Sequence, residues 1–271
     1  MDSRISAVFA SLKEQNQMAF MPFITAGDPD LAATQQVIRT LGASNVDMIE
    51  IGFPYSDPIA DGPVIQASYT RALESKVSVS QIFKALGELD HEELPPLVAM
   101  VSFAIVFRTG VDQFLSSCVE SGISGLIIPD LPGDEAAEVF EKVKGAGLDL
   151  IQLVAPTSPR ERVRKILKSC SGFVYCIAVA GTTGERERVA DSLLDQLKWL
   201  REETDLPLAV GFGISKPDHV EPLRGLADGV IIGSAIVRRF QELADKTLSS
   251  EDLQKELTKL AGDMVTATHT K

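Results

Sequence analysis

Eight short apolar runs, rich in β-branched residues, recur at 19–25, 46–51, 97–103, 125–129, 148–155, 172–178, 208–211 and 229–232. Runs without a polar face suit strands buried on both sides, as parallel strands are. Between them lie stretches with apolar residues at helical spacing, at 31–41, 111–120, 135–144, 160–168 and 192–203. Eight such strands alternating with helices, at intervals of roughly 22–35 residues in all but one case, predict an α/β fold of the (β/α)8 type. The exceptional second interval holds a Gly/Pro-rich loop and room for extra helices. A doubly wound open sheet is the alternative, and no early G-x-G-x-x-G after a strand supports it.

No linker, low-complexity tract or charge block interrupts the repeat, so residues 1–271 read as one domain. Residues 1–15 form an amphipathic segment before the first strand, placed to close a barrel floor. At the other end, 251–269 carries Leu253, Leu257, Leu260 and Met264 at helical spacing and is expected to cover the outside of the barrel.

Charge and composition exclude several roles. With 26 basic against 38 acidic residues the net charge is −12, which disfavours nucleic acid and anionic membrane surfaces as partners. A local phosphate site built from backbone N–H groups remains compatible with that charge. Cys118, Cys170 and Cys176 form no metal-binding pair and read as reduced, buried thiols. His91, His219 and His269 lie far apart in polar surroundings, against a zinc site or a Ser-His-Asp triad. No run approaches the ~20 apolar residues of a membrane span, and the N-terminus lacks a signal-peptide core; a cytoplasmic protein is expected.

In a (β/α)8 barrel the chemistry sits at the carboxyl ends of the strands. Alternation along the second strand puts Met48, Glu50 and Gly52 on one face, with Ile49 and Ile51 on the other. Glu50 should therefore point into the barrel near its upper rim. There it is either half of a structural salt bridge or a carboxyl of raised pKa able to exchange protons. The following loop carries Asp57 and Asp61, each before a Pro or Gly, where Asp often only shapes a turn. The position of Asp61, between the strand bearing Glu50 and a helix beginning near Pro63, marks it as the partner of an acid/base pair. Glycines also cluster after the last three strands, at Gly181–Gly184, Gly211–Gly213 and Gly233-Ser234, where backbone could cradle a phosphate.

The segment Glu50-Ile-Gly-Phe-Pro-Tyr-Ser-Asp-Pro-Ile-Ala-Asp-Gly-Pro-Val-Ile-Gln66 closely resembles the most diagnostic motif of the tryptophan synthase alpha subunits. Pro22-Phe-Ile-Thr-Ala-Gly-Asp28, Ile128-Pro-Asp-Leu-Pro132, Gly181-Thr-Thr-Gly184, Gly211-Phe-Gly-Ile214 and Gly233-Ser-Ala235 support it in family order. The resemblance implies a lyase that splits indole-3-glycerol phosphate into indole and glyceraldehyde 3-phosphate without metal or organic cofactor. It also implies a beta-subunit partner in an alpha2-beta2 complex. Glu50 would be the general acid/base, Asp61 would stabilise positive charge on the indole, and Thr183 in a closing loop would orient Asp61. Gly184, Gly213, Gly233 and Ser234 would hold the phosphate, and Phe23, Met100, Ile127, Tyr175 and Phe212 would line the remaining substrate pocket.

The chain departs from that pattern after the third strand. A motif like Tyr-x-Asn is common there, whereas this chain reads Ser102-Phe-Ala104 and Ser102 is the only polar side chain left. The approach to the closing loop, Ile177-Ala-Val-Ala-Gly181, also lacks the usual Ser and Arg. A different phosphate-binding barrel enzyme would call for a strand-borne Lys, or a His or Cys pair, and no Lys falls inside a predicted strand. A non-catalytic barrel that only binds and activates its partner is the third reading, against which both carboxyls stand.

Overall fold

The computed structural model describes residues 3–58, 61–133, 135–178, 191–211 and 213–270. Eight parallel strands close into a barrel in chain order: β1 (Ala19–Thr25), β2 (Ile49–Gly52), β3 (Leu97–Met100), β4 (Ile123–Ile127), β5 (Asp149–Val154), β6 (Val174–Ile177), β7 (Leu208–Gly211) and β8 (Gly229–Ile232). Closure is made where β8 pairs with β1, Ala19 lying opposite Gly229. Around the strands run α1 (Arg4–Glu14), α2 (Leu31–Ala43), α3 (Pro63–Glu74), α4 (Val79–Gly87), α5 (Phe103–Thr109), α6 (Val111–Glu120), α7 (Ala136–Gly145), α8 (Arg160–Leu167), α9 (Asp191–Glu203), α10 (Ser234–Ala244) and α11 (Ser250–His269). Two 3-10 turns, Pro217–His219 and Glu221–Leu223, occupy the β7–β8 connection. The long second interval holds two helices, α3 and α4, as its length required.

Alternation along the strands divides the core into two clusters. Ile49 and Ile51 join the outer layer between strands and helices, whereas Met48, Val98, Met100, Ile127, Ile151 and Tyr175 fill the barrel. The N-terminal segment plugs the floor: Ile5, Phe9 and Leu12 of α1, spaced along one helix face, pack into the inner cluster. The Phe9 ring lies 5.7 Å from that of Phe173, just below β6. At the outside, α11 buries Leu253, Leu257, Ala261 and Met264 against α2, β1 and α10.

Strand ends differ from the sequence pattern in β2 to β6, by a residue or two in β5 and β6. The second strand starts at Ile49 instead of 46, and the fourth covers Ile123–Ile127 instead of 125–129. The third ends at Met100, and Phe103 opens α5. The cause of that early end is Asp130, whose carboxylate accepts the Phe103 N–H at 2.7 Å and the Ser102 hydroxyl at 2.6 Å, drawing the chain into a helical turn. All three cysteines are free and buried, as expected.

Because α1 supplies the barrel's lower packing, Phe9→Ala should cost about 3–5 kcal/mol, the range for deleting a buried aromatic. Urea unfolding of the two proteins measures the difference. A loss under about 1 kcal/mol, the scale of an ordinary surface change, would show that the floor does not depend on α1.

Candidate functional site at the carboxyl ends of the strands

Glu50 sits in the inward layer, in register with Phe23 on β1 and Val98 on β3. It is 3% exposed, and neither carboxylate oxygen has a hydrogen-bond partner among the described residues. The salt-bridge alternative is thereby removed: no cation is paired with it there. Burial, reinforced by the nearby charge of Asp61, pushes its carboxyl up to about 8. At neutral pH Glu50 therefore carries its proton.

Beyond Gly52 the chain crosses the rim, where Ser56 and Asp57 face solvent and the Ser56 hydroxyl caps the Asp57 carboxylate at 2.8 Å. Asp61 turns inward and is 7% exposed. Its N–H donates to the Pro58 carbonyl, and Gln66 Nε2 donates to the Asp61 carbonyl at 2.7 Å, so the backbone is fixed while carboxylate Oδ2 stays unpartnered. Burial raises Asp61 to about 6, which leaves it mostly ionised at pH 7. One protonated and one ionised carboxyl share the pocket.

The helix that follows is anchored from below. Gly62 is its N-cap and Pro63 its first residue, a position where the missing N–H costs nothing. Arg71 grips the fully buried Asp28 through Nε at 2.9 Å and Nη2 at 2.6 Å, and Ser68 hydrogen-bonds Thr25 at 2.6 Å. Both ties join α3 to the end of β1, and hence to Phe23. They also set Tyr69, which sequence reading missed. Its hydroxyl is buried, has no partner among the described residues, and lies where a Cβ on Gly52 would fall 2.6 Å away. Tyr175 makes the matching approach over Gly211, whose Cβ would meet its hydroxyl at 2.2 Å. Burial and the two carboxyls push both phenols well above their ordinary range, so they remain neutral. The signal available in sequence was weak: Tyr69 lies on a helix, one turn beyond Ile65, in an unremarkable amphipathic pattern.

Phe23, Met100, Ile127 and Tyr175 all belong to the inner cluster that fills the barrel. Ser102 does not present a free hydroxyl, since it donates to Asp130 and caps α5. Adjacent strands β7 and β8 bring Gly213 and Gly233 to one part of the same rim. Gly213 has φ +81°, a left-handed conformation that favours glycine, and open space where a Cβ would stand. At the rim Gly233 is the N-cap of α10, whose first N–H groups receive no side-chain cap, and Ser234 is exposed. Thr183, Gly184 and Phe212 lie outside the described residues. His219 corrects the sequence reading: only 7% exposed, it is buried beneath the β7 loop. Among the described residues no group of three or more His, Cys, Asp and Glu could hold a metal ion, and no helix is long and apolar enough to cross a membrane.

A closed (β/α)8 barrel with a protonated and an ionised carboxyl at its mouth defines an acid/base enzyme of the barrel class. The tryptophan synthase alpha chain family profile matches residues 9–269. The tryptophan synthase alpha chain of Rhodopirellula baltica is 43% identical over 263 residues, covering 96% of this chain and 95% of that protein. That of Methanocaldococcus jannaschii is 41% identical, covering 93% and 90%. Among solved structures, tryptophan synthase subunit alpha from Legionella pneumophila superposes with a TM-score of 0.88 at 30% identity over 99% of both chains. A tryptophan synthase chain from M. tuberculosis gives 0.87 at 30% identity over the full length of both. The chain belongs to the tryptophan synthase alpha chain family.

The raised Glu50 value has a consequence for stability. Between its ordinary 4.5 and about 8, the unfolded chain has lost this proton and the folded chain retains it, so stability falls as pH rises through that window. Glu50→Gln removes the penalty, and its stability relative to wild type should increase steadily from pH 5 to 8. Urea unfolding of both proteins at each pH reads this directly. A difference flat with pH would mean that Glu50 is ionised throughout.

Proposed function

We propose that Glu50 and Asp61 carry out the alpha reaction of tryptophan synthesis, cleavage of indole-3-glycerol phosphate to indole and glyceraldehyde 3-phosphate. The observation that carries this reading is the buried, unpartnered Glu50 carboxyl facing Asp61 at the barrel mouth. The enzyme is a carbon–carbon lyase. Protonated Glu50 delivers its proton to indole C3, and the ring becomes an iminium whose N–H is held by ionised Asp61. The resulting Glu50 carboxylate then takes the proton of the glycerol hydroxyl as the bond from C3 to the side chain breaks. The bond's electron pair forms the C2=C3 double bond as the iminium π pair returns to the ring nitrogen, restoring indole, and the hydroxyl carbon becomes the aldehyde of glyceraldehyde 3-phosphate. Glu50 ends protonated, so the cycle balances without a cofactor.

Phe23, Met100, Ile127, Tyr175 and Phe212 wall the indole in this reading. Gly184, Gly213, Gly233 and Ser234 hold the phosphate, and Thr183 orients Asp61. The open Cβ side of Gly213 and the uncapped start of α10 support the phosphate assignment. The family acts with a beta subunit, and the complex we propose is alpha2-beta2 in the cytoplasm, with residues 1–271 acting as one domain. Exposed Asp57 and the 70% exposed ring of Phe107 on α5 supply a rim for that subunit. A barrel retained only for binding its partner would have no use for an unpaired carboxyl desolvated at its centre.

Indole release from indole-3-glycerol phosphate tests the chemistry. Glu50→Gln and Asp61→Asn should each lose at least ~10²-fold, the usual scale for a general acid/base. Asp57→Asn should leave the isolated chain's activity nearly intact. The wild-type kcat/KM should be bell-shaped, with apparent values near 6 and 8 that belong to the coupled pair. Near-normal turnover in Glu50→Gln would remove it from the reaction.

Phosphate affinity gives a separate check. Gly213→Val places a side chain in the open space and strains the left-handed turn, and should weaken glycerol 3-phosphate binding at least ~10-fold, the worth of about one good charge-assisted hydrogen bond. Arg239, already paired with Glu242 and Glu256, should be replaceable by Gln with little loss. An essential Arg239 would contradict a cradle built from backbone.

A further inference from the structure

His219 is the one histidine that the structure buries, and its position relates to the loop after β7. The 3-10 turn Pro217–His219 folds back beneath that loop, held by the His219 N–H donating to the Lys216 carbonyl at 3.1 Å. Its Nδ1 accepts the Ser215 N–H at 3.3 Å. Nε2 is buried and has no hydrogen-bond partner among the described residues, and the Gly213 backbone lies close enough to favour the charged ring. The imidazole therefore spans the backbone on both sides of Ile214, which is itself 5% exposed in the outer core. A ring that accepts at Nδ1 carries its proton on Nε2.

We propose that His219 is a positioning residue for phosphate binding: its imidazole holds the Ser215 amide and, through it, the left-handed turn at Gly213. The inference rests on the assignment of the substrate phosphate to this loop. Gly213 has no side chain to anchor it, and none of the described residues fills the space beside it. A loop that binds through its backbone needs its amides aimed before the anion arrives. His219 supplies that aim from below, without touching the substrate.

A histidine in this place makes the support titratable. On protonation Nδ1 becomes a donor facing a donor, and the bond to Ser215 is lost. Burial, then the charge of Lys216, moves the imidazole below its ordinary 6.5, while its approach to Gly213 and the charge of Asp218 act the other way. On the elements packed around the turn, Glu221 pairs with Arg224 and Lys259 with Asp263. Arg224 also reaches the Thr270 and Ala267 carbonyls at the end of α11. The ring is thus neutral at pH 7, and protonation, which occurs below the ordinary 6.5, removes its supporting bond.

The test is calorimetric binding of glycerol 3-phosphate to the full chain from pH 5 to 8, with wild type, His219→Asn, His219→Leu and Gly213→Val. Asn places an oxygen acceptor where Nδ1 stands and cannot titrate, so it should restore wild-type affinity at pH 7.5. Leu leaves the Ser215 amide without its partner and should bind ~10-fold more weakly, within the range for an unsatisfied buried donor. As pH falls, wild type should lose affinity relative to His219→Asn; the ligand's own ionisation cancels in that ratio. A flat or rising ratio overturns the proposal, a rise meaning that protonated His219 attracts the anion. That comparison does not depend on the Leu variant folding. A loss in Gly213→Val with none in His219→Leu overturns the positioning role alone. Undiminished affinity in both overturns the loop assignment beneath it.

Discussion

The arrangement depends on one costly choice, a carboxyl placed inside the barrel with no cation paired to it among the described residues. An ionised carboxylate there would cost several kcal/mol or more. Glu50 avoids the penalty by keeping its proton, and the structure around it enforces that state. Val98 lies beside it in the layer, Met48 and Met100 fill the positions below and above, and α1 closes the floor. Asp61, reaching the same space from the rim, adds a negative charge that further disfavours ionisation. The two groups are chemically alike and differ in state because one is walled in and the other lies near the mouth.

That difference is what a retro-aldol cleavage needs at neutral pH. In the proposed mechanism Glu50 has a proton to give, and ionised Asp61 meets the positive charge that the transfer creates. The rest of the site supplies shape and grip. Arg71 and Asp28, distant from the reacting atoms, matter because they tie α3 to β1 and thereby fix Tyr69 and the segment leading from Asp61. In the proposed reading the anion is met at the same rim, after β7 and β8, by backbone, which would let a chain of net charge −12 bind a phosphate ester.

The barrel was legible in sequence because buried parallel strands leave uninterrupted apolar runs, and β1, β7 and β8 fall where those runs lie. The inward direction of Glu50 followed from the period of two. Where the pattern misled, a polar contact distant in sequence decided: Asp130 ends β3 early by capping α5, a link across 27 residues that no local signal carries. Tyr69 and His219 were illegible for a related reason. Each is an ordinary residue in its local pattern and gains its place only when β2 or the β7 loop is brought against it. Glu50 was marked by the alternation of its strand, and Asp61 by its place in the loop leading from that strand to the helix near Pro63.

The most direct measurement is the protonation state of Glu50 itself. Carbon-13 labelling of the glutamate carboxyls, with the Glu50 signal identified by its absence in Glu50→Gln, lets its shift be followed against pH in the folded protein. The account predicts a midpoint near 8, with the protonated form dominant at pH 7. A midpoint near the ordinary 4.5 would contradict it, since Glu50 would then have no proton to deliver.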